Sequence, residues 1–211
     1  MFEIGASMPL FNIGFVIFPD LTQLDFTGPL QVLSRLPQSA THIVLKSTAP
    51  VPSDCGLGLV PTHTFANCPP LDLICIPGGS EGVAGIINDR ETIEFVRQQA
   101  GAAKYVTSVC TGAFVLGVAG LLKGRRATTH WAFADLLPLV GATHEKARVV
   151  KDGNRTSRLT SARGPGGVWF LFAPGRNCYD LMSQQVYSWR CLAEQIAWRL
   201  KKRWRHEALR R

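Results

Sequence analysis

The sequence predicts an α/β domain with a mostly parallel sheet covered by helices on both faces. Three observations carry that prediction. Apolar strand-like runs alternate with helix-period segments through residues 11–154. The connections between them are short, as they are where parallel strands are joined by crossover helices. At 211 residues and 46% hydrophobic content, the chain has the length of one domain and enough apolar mass for a core, which excludes a disordered chain.

Phe11–Phe18 is a continuous apolar run bounded by Pro19-Asp20 and reads as a buried parallel strand. Leu24 to Leu36 reads as a helix, with Phe26, Leu30, Leu33 and Leu36 on one face and Pro37 ending it. His42–Leu45 is a short second strand, and residues 50–70, rich in Pro, Gly and Cys, read as loops or a small hairpin. Leu71–Pro77 is a central strand running into Gly78-Gly79. Ile93–Ala103 is a helix opened by Asp89 or Thr92, and Lys104–Val109 is a strand followed at once by Cys110-Thr111-Gly112 and the apolar helix Ala113–Leu122. Arg126–Thr129 and Ala147–Val150 are short strands flanking a helix around Trp131–Val140.

The formal charge of +8 is unevenly placed. Residues 1–154 hold 11 Lys and Arg against 12 Asp and Glu, whereas residues 155–211 hold 12 against 3. Four of the five tryptophans (Trp169, Trp189, Trp198, Trp204) lie in the basic part. The chain therefore divides into an extension at 1–10, a nearly neutral domain at 11–154 and a divergent basic segment at 155–211. Met1 to Leu10 carry no Lys or Arg, so the charged start of a secretory signal is missing, and the residues before Met8 read as dispensable. No apolar run reaches the roughly 18 residues needed to span a bilayer. Cysteines stand at 55, 68, 75, 110, 178 and 191 with no C-x-x-C, which argues against a zinc ribbon and a disulfide-stapled fold. A reduced, cytoplasmic protein is expected.

Ligands of such sheets sit beyond the carboxyl ends of the strands. Asp25, Gly78-Gly79 and Cys110 converge on that edge. Cys110 falls where a strand turns into a helix, with Gly112 relieving crowding, and helix amides there lower a thiol pKa and make a nucleophile. A buried structural thiol is the equal alternative on spacing alone. Asp25 reads first as a carboxylate at a helix N-terminus and second as a proton shuttle facing Cys110. Gly78-Gly79 is either a plain turn or a source of backbone amides for a developing anion. His130 reads first as a satisfied structural histidine and second as an acid or base. G-x-x-x-x-G-K-[ST], G-x-G-x-x-G and H-E-x-x-H are all missing, so nucleotide and zincin chemistry has no support.

The segments GFVIFPDLTQLDFTGPLQVL, DLICIPGG, YVTSVCTGAFVLGVAGLLKGRRATTHW and ARVVKDGNR resemble, in this order, the DJ/PfpI superfamily. That resemblance implies a flavodoxin-like three-layer sandwich with a nucleophile-elbow cysteine. Within it, D-x-T-G-P, S-V-C-T-G and R-A-T-T-H-W look most like isonitrile hydratases, and also like the sensor domains fused to AraC-type regulators. The resemblance implies Cys110 as nucleophile, Asp25 as its carboxylate partner, and Thr111 and Gly79 as hydroxyl or amide donors near the thiolate. It further implies an isonitrile substrate hydrated to an N-substituted formamide, chemistry that needs neither metal nor organic cofactor, and a homodimer. The rival class is a non-catalytic cysteine sensor.

After Asn154 the family pattern stops. The switch to TSRLTSARGPGGVWFLFAPGRNCYDL and a basic end suggests a shifted reading frame downstream of about Arg155, with altered C-terminal elements. Val186, Trp189, Leu192, Ala193, Ile196, Ala197, Leu200 and Trp204 follow helical spacing beside a cluster of Arg199, Lys201, Lys202, Arg203 and Arg205. The expectation is a stripe docked on the sheet with its charges solvated, and no nucleic-acid or membrane partner. An anionic surface is the alternative that the cluster leaves.

Overall fold

In the computed structural model the described residues are 10–147, 149–150, 152 and 156–160, the last five by backbone. Their order is β1 (Phe11–Val16), α1 (Gln23–Leu33), β2 (Ser39–Leu45), β3 (Val51–Pro52), β4 (Gly58–Leu59), β5 (His63–Thr64), β6 (Leu73–Ile76), α2 (Ser80–Ile86), α3 (Arg90–Ala102), β7 (Tyr105–Val109), α4 (Gly112–Val118), β8 (Arg126–Ala127), a 3-10 helix (Trp131–Val140), β9 (Thr143–His144), β10 (Val149–Val150) and β11 (Thr156–Thr160). A seven-stranded sheet runs β5-β2-β1-β6-β7-β11-β10, parallel throughout except for β10 against β11. This is the mostly parallel α/β architecture that the alternating sequence predicts.

The central strands explain their own composition. All four residues of β6 and the last four of β1 are buried, so alternate side chains find cover on both faces and no polar face survives. The chain passes from β1 to β2 in one direction across the sheet, and from β6 to β7 in the other. Right-handed crossovers in opposite directions place α1 on one face and α3 on the other. On its face, Phe26 of α1 sets its ring edge against Phe15 of β1, with centroids 5.7 Å apart. Helix α4 is buried from Gly112 through Gly117, which is why it is apolar all round. Asp89 opens α3 by accepting from Glu91 N, as the sequence suggested for one of two caps.

Several elements differ from expectation for local reasons. Helix α1 ends at Leu33, so Leu36 falls in the following turns and is exposed. The segment at 131–140 is 3-10 rather than α, with Pro138 inside it removing one donor. Helix α2 is unforeseen, because its seven residues are too few for a period to show. The loop-rich stretch at 50–70 contains the small antiparallel hairpin β3–β4, together with the edge strand β5. The composition change near residue 155 falls between β10 and β11, and β11 pairs with β7 along five residues. The extension before Leu10, Cys178, Cys191 and the amphipathic stretch at 186–204 lie outside the described residues. Among the described residues no helix is long and apolar enough to cross a membrane.

Candidate active site

Strands β1, β6 and β7 are neighbours, and the order of the sheet reverses direction at β1/β6. The segments leaving their carboxyl ends carry Asp25, in the first turn of α1, Gly78-Gly79 and Cys110 respectively, so the three features singled out in the sequence meet at the switch point.

Cys110 has φ +53°, a left-handed conformation that a non-glycine residue adopts only when its surroundings impose it. Two contacts do so. A side-chain carbon at Gly112 would collide with the carbonyls of Ile76 and Pro77, so the turn presses directly on the end of β6. From the other side the buried Thr129 donates its hydroxyl to the Cys110 carbonyl at 2.9 Å. The result is an elbow that holds a half-buried cysteine above the sheet.

Gly78 lies against both reacting groups. A methyl group there would stand 2.5 Å from Asp25 Oδ2 and 2.7 Å from Cys110 Cβ. Gly79 does something else. Its amide donates to Thr111 Oγ1 at 3.0 Å, and that hydroxyl stands 3.4 Å from the Gly79 carbonyl oxygen to which it donates. The two residues therefore clamp the β6 loop to the elbow, and the Gly79 amide is already engaged. Gly79 also lies against the backbone of Asp20, Leu21 and Thr22, at φ +152°. Thr111 retains a part in the electrostatics, because its backbone amide and hydroxyl both reach the Cys110 sulfur and favour the thiolate.

The Asp25 carboxyl lies within hydrogen-bonding reach of the Cys110 thiol and the Gly78 amide. Burial pushes its pKa up to about 6, the thiol and amide pulling against that and the Asp54 carboxylate adding to it. Oδ2 is buried without a hydrogen-bond partner among the described residues. The expected depression of the Cys110 pKa is reversed: burial, and then the charge of Asp25, push the thiol well above its usual value, outweighing Thr111. At neutral pH the pair is thus a protonated thiol beside a carboxylate able to take its proton, which is the arrangement for general-base activation of a sulfur nucleophile.

His130 lies at the start of the 3-10 helix. Its Nδ1 accepts from Ala132 N at 3.3 Å, its ring packs on Trp131 and Phe133, and burial lowers its pKa to about 4. Of the other cysteines, Cys75 is fully covered within β6 and pushed up to about 12 by burial, and Cys68 is pushed up to about 11 by the same cause. Neither is a nucleophile near neutral pH. Sequence reasoning weighed Gly78 only as one half of the Gly78-Gly79 pair, and it passed over Thr129, which stands beside the more conspicuous His130. The only signals for them were position: the first glycine past the strand, and a hydroxyl at the end of β8.

The sequence matches the DJ-1/PfpI family over residues 12–173, and the chain belongs to that family. Isonitrile hydratase from Pseudomonas putida is 58% identical over 143 residues, covering 68% of this chain and 62% of that enzyme. The chain thus spans somewhat less than two thirds of that relative's length. The HTH-type transcriptional regulator GbdR of Pseudomonas aeruginosa is 28% identical over 57% of this chain and 34% of the regulator. Among solved structures, a ThiJ/PfpI family protein from Pseudomonas syringae superposes with a TM-score of 0.78 at 31% identity, covering 93% of this chain and 97% of that one.

Proposed function

We propose that this DJ-1/PfpI chain is an isonitrile hydratase-like lyase that uses Cys110 as nucleophile and Asp25 as proton shuttle. The observation that carries the reading is the meeting of a thiol and a carboxyl of raised pKa across a residue with no side chain. The 58% identity to the hydratase supports the substrate class.

In this reading Asp25 takes the Cys110 proton as the sulfur attacks the terminal carbon of R–N≡C. Delivery of that proton to the same carbon leaves a thioimidate, R–N=CH–S–Cys110. Water then adds to the thioimidate carbon while Asp25 accepts one of its protons, and that proton goes to nitrogen. Collapse of the adduct breaks the C–S bond, the water-derived hydroxyl proton returns to sulfur, and R–NH–CHO leaves. The sum is isonitrile plus water, with no electron transfer. Asp25 serves twice, and a group of pKa near 6 is suited to both duties.

A cysteine-based sensor is the second reading, favoured by the likeness to a transcriptional regulator. Hydration requires a carboxyl beside the sulfur and sensing does not, so the placement of Asp25 favours the enzyme. Free thiol chemistry at Cys110 goes with a reducing, cytoplasmic setting. Exposed Leu24, Val32 and Leu36 at four- and eight-residue intervals along α1 and the turn after it support the family's homodimer. The direct test is purified protein with an aryl or alkyl isonitrile, following formamide. Turnover by the wild type and none by Cys110→Ala is expected, and turnover by Cys110→Ala would sink the mechanism.

A further inference from the structure

The loop that delivers Asp25 is held from outside, by a hairpin that carries none of the reacting groups. Between β1 and α1, residues 20–23 are pinned by the hairpin β3–β4 through three hydrogen bonds. Asp20 N donates to the Pro52 carbonyl at 2.9 Å, Asp54 N donates to the Leu21 carbonyl at 2.9 Å, and Gln23 N donates to Asp54 Oδ1 at 3.2 Å. Leu21 and Ser53 also form a parallel bridge. The hairpin turn is itself fixed: Ser53 N donates to the Leu57 carbonyl, Leu57 N to Ser53 Oγ, and Gly56 supplies the positive φ of +82°. Asp54 is therefore presented on a braced turn, with its own backbone already committed to Leu21.

The bond to Gln23 is the one that matters for chemistry. Gln23 is the first residue of α1, and its amide is one of those a helix leaves without an internal partner. Thr22, the residue placed to cap this end, makes no side-chain cap. Its backbone amide is instead bonded to the Gly78 carbonyl at 2.9 Å. The capping acceptor comes from 31 residues away, and it sets the first turn of α1 two residues before Asp25. We propose that Asp54 is a positioning residue for Asp25: its carboxylate caps α1 from the hairpin and so fixes where the Asp25 carboxyl stands against Cys110. This rests on the proposed roles of Asp25 and Cys110 and adds to them a residue of the hairpin.

The groups facing the Asp25 carboxyl are Cys110 from the elbow, Cys75 from β6 and Asp54 from the hairpin, and Asp54 is the exposed one of the three. Its like charge adds to the rise in the Asp25 pKa. Geometry and charge are separable by variants: Asp54→Asn keeps an oxygen acceptor and loses the charge, whereas Asp54→Ala loses both.

The test uses the full chain and needs no isonitrile. Alkylation of Cys110 by iodoacetamide is followed by peptide mass spectrometry, and the Asp25 carboxyl is titrated by carbon NMR, with Asp25→Asn as the reference for both. Because Asp25 takes the Cys110 proton in the proposed mechanism, Asp25→Asn alkylates more slowly than wild type at pH 7.5. Asp54→Ala is expected to move at least about threefold toward that rate, and Asp54→Asn to stay within about twofold of wild type, the range of a surface charge effect. Asp54→Asn should also make Asp25 about twice as strong an acid at low salt, a shift that fades at 1 M salt as an exposed charge requires. Equal alkylation by Asp54→Ala and wild type overturns the proposal. If Asp54→Ala loses its fold, seen as labelling of buried Cys75, Asp54→Gln decides instead, because its longer side chain moves the acceptor off the Gln23 amide, and an alkylation rate equal to that of Asp54→Asn overturns the proposal. Failure of the hydratase reading would appear separately, as a wild type that alkylates at Cys110 but leaves isonitriles untouched.

Discussion

The two loops that bring the reacting groups together are built by opposite means. The elbow after β7 is made mostly locally: a cysteine at positive φ and a glycine two residues on that lets it press against β6, with one distant threonine hydroxyl on its carbonyl. The loop after β1 has little of its own. It is gripped between the hairpin β3–β4 on one side and Gly78-Gly79 on the other, through backbone groups of residues distant in the chain. Local construction leaves a short motif in the sequence, whereas construction by tertiary contact leaves scattered residues with no common spacing. Damage should differ accordingly, with elbow variants altering the nucleophile itself and strap variants altering the carboxyl that serves it.

The largest effect expected on that contrast is at Asp25. Asp25→Asn should lower hydration by about 10²–10⁴-fold, the usual worth of general acid–base catalysis, measured as kcat for formamide formation. The same variant should be more stable than wild type at pH 8. A carboxyl at about 6 in the fold against 3.8 as a free side chain binds its proton more tightly when folded. Its contribution is therefore most favourable below about 3.8 and is lost as pH rises through about 6. Removing the charge should recover on the order of 2 kcal/mol in urea unfolding at pH 8, and a destabilised variant there would mean that the burial cost has been misjudged.

Gly78→Ala comes next. It forces apart Asp25 Oδ2 and Cys110 Cβ together, and a shift of about 1 Å between reacting groups costs on the order of 10²-fold, seen in kcat with the melting temperature as control. Thr129→Val tests the elbow alone. It leaves the Cys110 carbonyl without its donor, which should cost about 1–3 kcal/mol of stability and roughly tenfold in turnover while the Asp25 titration holds still. The smallest effect is in the pH profile of His130→Asn. Activity should fall below about pH 6 in wild type and variant alike, because the limb belongs to Asp25 and His130 is neutral down to about 4. A limb that moves with His130 would return that histidine to the mechanism.

The sheet was readable in advance because buried parallel strands advertise themselves: FNIGFV and LICI carry no polar residue to satisfy except Asn12, at the edge of its strand. Cys110 and Asp25 were readable through their motifs. What was hidden depended on geometry. Whether Cys110 is acidified turns on the balance of burial and Asp25 against the Thr111 amide and hydroxyl, which no spacing encodes. Gly79 looked like a source of free amides until its N–H was found on Thr111. Thr129 and Asp54 act through single hydrogen bonds spanning 19 and 31 residues, and such bonds have no period to detect. The trimming of α1 at Leu33 and the 3-10 winding around Pro138 are boundary matters, where end effects outweigh pattern.

The clustering of β1, β6 and β7 in the middle of the sheet has a consequence for how the protein comes apart. Each is flanked by a paired strand on both sides, so their backbone amides belong to the slowest class in hydrogen–deuterium exchange, opening only with the whole domain. Breathing of the helices or of the hairpin does not release them. Cys75 lies within β6 and Cys110 just past the end of its neighbour β7, the first sealed and the second half-buried in the native state. A single thiol-labelling time course therefore reads two clocks, native access at Cys110 and global opening at Cys75. The gap between them measures the protection of the domain that holds the site.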